Sequence, residues 1–144
     1  MERKLNCVLL IDDDEPTNFL NQLIIEKSGY AEQIKTAQSG EEALKYLSHT
    51  SGDGSSSPCP DLIFLDINMP AMNGWEFLEQ YKKLNEEHKG RVMIVMLTTS
   101  LFPEDKLHAA EMPEVTGFEN KPLTAEKLDR IIENFFEKNE RKAV

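Results

Sequence analysis

The sequence predicts an α/β fold in which a parallel sheet is covered by helices on both faces. Short apolar runs alternate with helix-period segments along the 144-residue chain. The connections between them are mostly brief and rich in Gly, Pro, Asp and Ser. Runs such as Leu62-Ile63-Phe64-Leu65 are apolar at every position, which suits strands buried on both faces. Such alternation with short links implies parallel strands under two helical layers.

Leu5 to Ile11 reads as the first strand and stops at Asp12-Asp13-Asp14-Glu15-Pro16. Pro16 suits the first turn of a helix and Asp14 its N-cap. Phe19, Leu20, Leu23 and Ile24 then repeat at helical spacing, and Gly29 supplies the stop. Ile34 to Ala37 is a short second strand. Ser39-Gly40-Glu41-Glu42 is a capping-box pattern opening a helix with Ala43, Leu44 and Leu47 on one face. Ser48 to Pro60 has the composition of a solvated loop.

The third strand, Asp61 to Asp66, must end near Asp66 because Pro70 cannot continue a central strand. Gly74, Phe77, Leu78, Tyr81 and Leu84 mark a third helix. Arg91 to Leu97 is a fourth strand, ending in Thr98-Thr99-Ser100. Pro103 to about Met112 is a weakly amphipathic helix carrying Leu107 and Ala110. Val115 to Asn120 is a fifth strand, ending at Lys121-Pro122. Thr124 caps a last helix with Leu128, Ile131, Ile132 and Phe135 on its buried face.

Five β-α pairs give a flavodoxin-like, doubly wound three-layer sandwich with strand order 2-1-3-4-5. One domain spans residues 1–144, its core running over about 5–138, with no output domain. Cys7 and Cys59 make no C-x-x-C pair and read as free thiols of a reducing cytoplasm. No signal peptide or membrane span is visible. Sixteen basic against 26 acidic residues give a net charge of −10, which repels phosphate backbones and argues against nucleic-acid binding. His49, His88 and His108 match no motif and read as surface residues.

Strands 1, 3, 4 and 5 are neighbours in that order, so their carboxyl ends share one crevice. Strand 1 brings Asp12, Asp13 and Asp14, strand 3 Asp66, strand 4 Thr98 and strand 5 Lys121. Clustered carboxylates repel one another unless a cation intervenes. A hard divalent ion such as Mg²⁺ relieves this and in turn favours a phosphoryl group. A carboxylate can itself be the nucleophile and become an aspartyl-phosphate. Lys121 and Thr98 then have phosphoryl oxygens to meet.

These residues resemble the receiver domain of two-component response regulators over nearly the whole chain. The match comprises Leu9-Leu10-Ile11-Asp12-Asp13, Leu65-Asp66-Ile67-Asn68-Met69-Pro70, Asn73-Gly74, Met96-Leu97-Thr98, Gly117-Phe118 and Lys121-Pro122. The resemblance implies a stand-alone, chemotaxis-regulator-like phosphoprotein of a phosphorelay rather than an enzyme turning over a separate substrate. Asp66 would be phosphorylated by a sensor histidine kinase or histidine phosphotransfer protein. Asp13, Asp66 and the Asn68 carbonyl would hold Mg²⁺, or Mn²⁺ in its place, with Asp12 acting through a water. Thr98 and Lys121 would touch the phosphoryl oxygens, Phe118 would be the aromatic switch, and the bond to Pro122 would be cis. Output would pass through the face of the fourth helix, fifth strand and fifth helix to a downstream protein or a second copy.

Three departures stand out. Thr99 is bulkier than the small residue common there, Glu111 to Thr116 lacks the usual glycine-alanine run, and the 48–60 loop is long. Two other classes compete. An aspartyl phosphohydrolase wants an acid where Asn68 stands, and a flavin or nucleotide module wants a phosphate cradle where three aspartates stand. A receiver that no longer takes phosphate is the third alternative.

Overall fold

A computed structural model describes residues 4–49, 58–84, 92–99 and 102–142. Strands and helices alternate: β1 (Leu5–Ile11), α1 (Glu15–Ser28), β2 (Ala31–Ala37), α2 (Gly40–Ser48), β3 (Leu62–Leu65) and α3 (Gly74–Tyr81). Then come β4 (Met93–Thr98), α4 (Pro103–Glu111), β5 (Val115–Asn120) and α5 (Ala125–Lys142). The sheet has the order β2-β1-β3-β4-β5, and every pairing is parallel. Most of the 48–60 loop, together with His88, Arg91 and Ser100, lies outside the described residues.

Each central strand is buried on both sides, and alternate residues serve different layers. Leu9 and Ile11 of β1 pack with Ala43, Leu47, Phe77, Leu78 and Ala109, the inner faces of α2, α3 and α4. Leu5, Val8 and Leu10 pack with Ile25, Leu128, Ile131 and Ile132 of α1 and α5. Strand β2 is longer than its apolar part, starting at Ala31 rather than Ile34. Glu32, Gln33 and Thr36 are exposed, as suits an edge strand that must not recruit another chain. Among the described residues no helix is long and apolar enough to cross a membrane.

Two helices bury a different face from the one their apolar residues suggest. In α1 the buried residues are Asn18, Asn21 and Ile25, while Phe19 is 60% and Leu20 58% exposed. A polar anchor sets this rotation: Asn18 Nδ2 donates to the carbonyls of Asp12 (2.9 Å) and Ala37 (3.3 Å). Those bonds tie the helix to the ends of β1 and β2 and turn Phe19 and Leu20 outward, while Ile24 stays half-buried against the core. In α4, Ala109 is buried and Met112 follows it inward, whereas Leu107 is 65% exposed and Ala110 exposed. Ala109 is small enough for α4 to lie against β5, and the bulkier Leu107 falls on the far side.

Candidate functional site

The register of the sheet assembles the site. Ile11 pairs with Leu65, so the next residues, Asp12 and Asp66, emerge side by side. The Asp66 N–H donates to the Ile11 carbonyl at 3.0 Å, and the Asp12 N–H to the Ala37 carbonyl at 3.1 Å. Thr98, wholly buried, pairs with Asn120, and the Lys121 N–H donates to the Thr98 carbonyl at 2.8 Å. The Lys121–Pro122 bond is cis.

Asp12 and Asp66 are buried and Asp13 is exposed, and one carboxylate oxygen from each lies within 4.8 Å of the others. Lys121 Nζ stands 2.6 Å from Asp12 Oδ2 and 3.5 Å from Asp66 Oδ1. Burial pushes the Asp66 carboxyl up to about 6; the Asp12 charge adds to this, and Lys121 opposes it. The Lys121 ammonium feels the same burial, which disfavours its charge. Its hydrogen bond to Asp12 and the field of Asp66 outweigh that, and its pKa is raised. Asp14 belongs elsewhere: its carboxylate accepts from the Thr17 N–H at 3.2 Å and caps α1.

The turn after Asp66 is buttressed by α3. Asn73 and Glu76 form a capping box, and the Gly74 N–H donates to the Ile67 carbonyl at 2.8 Å. A Cβ on Gly74 would lie 2.6 Å from the Asp66 carbonyl oxygen, so only glycine lets the helix approach this closely. Asn68, two residues past Asp66, is exposed at the mouth. Phe118 is half-buried on β5 and lines a cavity of about 210 Å³ with Lys106 and Ala109 of α4. Thr99 is exposed and shares a groove with Lys121 and Pro122.

Asn18 and Asn21 also belong to the site. Both are buried and line a small cavity beneath Asp12 and Asp66. Polar residues opposite an apolar stripe look like a solvated helix face, so sequence patterning alone hides them.

Carboxylates in this arrangement offer only hard oxygen donors, which fits a divalent cation of the Mg²⁺ kind. Burial and the neighbouring Asp12 charge hold the Asp66 carboxyl up, and a divalent ion would offset both. The model of the response regulator receiver domain family matches residues 8–133. The chain belongs to that family.

The receiver is 32% identical over 130 residues to a probable methanogenesis regulatory protein of Methanothrix harundinacea, covering 90% of this chain and 81% of the relative. It is 34% identical over 137 residues to a two-component response regulator of Arabidopsis thaliana, covering 95% and 88%. A two-component response regulator from Cytophaga hutchinsonii superposes with a TM-score of 0.83 at 36% identity, over 94% of this chain and 99% of that one. A chemotaxis response regulator of Vibrio cholerae does so with a TM-score of 0.72 at 27% identity, over 92% and 99%. Receiver domains bind Mg²⁺ at an acidic pocket and interact with histidine kinases or phosphotransfer proteins. This receiver has the acidic pocket at the carboxyl edge of its sheet.

Proposed function

We propose that Asp66 is the phosphoacceptor of this receiver, taking its phosphoryl group from a phosphohistidine of a sensor kinase or phosphotransfer protein. The observation that carries this is the position of Lys121 Nζ, 2.6 Å from Asp12 and 3.5 Å from Asp66, beside the third acid Asp13. An Asp66 carboxylate oxygen attacks phosphorus, the P–N bond breaks, and the imidazole leaves with the bonding pair and is protonated. At neutral pH a carboxyl near 6 is still mostly ionised, so the nucleophile is ready. Asp13, Asp66 and the Asn68 carbonyl would hold Mg²⁺, or Mn²⁺, with Asp12 acting through a water. Bound there, the ion would supply positive charge to the transferring oxygens.

Lys121 then pairs with one phosphoryl oxygen as a point charge. The Thr98 hydroxyl donates to another and leaves space behind it. Phe118, which has no polar atom to leave unpaired, turns into that space and away from its cavity beside α4. The α4-β5-α5 face changes its preference for a downstream protein or a second copy. Leu20, 58% exposed, lines a groove of about 580 Å³ with Ile24, Lys121 and Pro122, which gives the phosphodonor protein an apolar seat beside the pocket. Residues 5–138 act as one folded receiver unit. The reaction belongs in the cytoplasm, where the thiols Cys7 and Cys59 stay reduced.

Intact-mass analysis after incubation with acetyl phosphate tests this reading. One added phosphoryl mass with Mg²⁺, lost with EDTA, supports it. A chain that stays unmodified with both donor and metal present sinks it.

A further inference from the structure

Thr124 caps α5: the Lys127 N–H donates to its Oγ1 at 3.1 Å and the Leu128 N–H to its carbonyl at 2.9 Å. Lys127 is therefore the third residue of the helix. That position favours an acid, because the positive end of the helix dipole disfavours a cation and a capping box wants Glu or Gln there. The Lys127 side chain folds back instead, and its Nζ donates to the carbonyls of Asn120 (2.7 Å) and Pro122 (3.1 Å). Those two carbonyls flank Lys121. With the bond from the Lys121 N–H to Thr98, the backbone on either side of Lys121 is tied both to β4 and to α5.

We propose that Lys127 is a positioning residue for phosphoryl transfer, holding the β5–α5 turn so that the Lys121 ammonium stays over Asp12 and Asp66. The inference rests on the phosphoacceptor reading of Asp66. Two charge-assisted bonds to neighbouring carbonyls leave the turn little freedom to swing Lys121 out of the pocket. A reactive group shifted by about 1 Å loses much of its effect, so the clamp acts on rate. A lysine serving only the helix end would affect melting without affecting chemistry.

The test compares the full chain with Lys127→Met, Lys127→Arg and the exposed control Lys83→Met. Phosphorylation by phosphoramidate with Mg²⁺ is followed by intact mass, and exchange of the Lys121 amide by NMR. Lys127→Met is expected to slow phosphorylation about tenfold and to speed Lys121 amide exchange, leaving exchange in the middle of α5 unchanged. Lys127→Arg, which keeps two donors, restores both to within about twofold, and Lys83→Met changes neither. If Lys127→Met melts early, Lys127→Ala, which likewise has no donor, takes its place with the same expectations. A reactive wild type with Lys127→Met equally fast, or Lys127→Arg as slow as Lys127→Met, overturns the role of Lys127 alone. A wild type inert to phosphoramidate overturns the phosphoacceptor reading, and this inference falls with it.

Discussion

Replacing Asp66 with asparagine should make the metal-free protein more stable at neutral pH. Burial, with the Asp12 charge, raises the Asp66 carboxyl from an ordinary 3.8 to about 6. The folded state therefore binds the proton more tightly than the unfolded state, and ionising Asp66 destabilises the fold. The penalty is absent below about pH 4, grows between about 4 and 6, and is complete above that. Two pKa units correspond to roughly 3 kcal/mol. Lys121 keeps Asp12 at 2.6 Å in the variant, so little of the gain is lost through an unpaired ammonium. The net expectation is roughly 2 kcal/mol in favour of Asp66→Asn at pH 7.5, shrinking towards zero near pH 4. Urea melts of both proteins in EDTA at the two pH values measure it. Mg²⁺ should then stabilise the wild type more than the variant. A variant less stable than wild type at pH 7.5 in EDTA would mean that attraction to Lys121 outweighs desolvation and Asp12, and the electrostatic picture would be wrong.

Gly74→Ala forces a Cβ to within 2.6 Å of the Asp66 carbonyl oxygen, and should cost roughly 2 kcal/mol in urea melts while slowing phosphorylation. Phe19→Ser with Leu20→Ser should change stability by no more than about 0.5 kcal/mol, because both are exposed. Transfer from a kinase should slow in that double variant while labelling by acetyl phosphate is unchanged. Trp75 of α3 stacks on His108 of α4 at 4.0 Å between ring centroids, so its emission reports movement of α4. Phosphorylation should change that emission in the wild type but not in Thr98→Ala, which still accepts the phosphoryl group.

Strands β1 and β5 were legible to the residue: β1 is a mostly apolar stretch closed by Asp12, and β5, in which only Val115 and Phe118 are large and apolar, is closed by Lys121-Pro122. The convergence of Asp12, Asp66, Thr98 and Lys121 was legible because each follows a strand of a sheet whose order the alternation implies. The rotation of α1 was not. Its apolar stripe through Phe19 and Leu20 points outward, and what turns it is the bond from Asn18 to the Asp12 carbonyl, a contact made only once β1 and α1 have met. The start of β2 was missed because an edge strand carries polar residues at Glu32 and Gln33. Lys127 was invisible for a similar reason: its partners are backbone carbonyls of Asn120 and Pro122, which leave no trace in side-chain patterning.

The most direct measurement locates the phosphoryl group. Borohydride reduces an acyl phosphate to the alcohol, so a phosphorylated aspartate becomes homoserine and is found by peptide mass. Treatment after acetyl phosphate and Mg²⁺ should convert Asp66 alone, with no conversion in Asp66→Asn. Homoserine at Asp12 or Asp13 in the wild type, with Asp66 untouched, would contradict the assignment of the nucleophile.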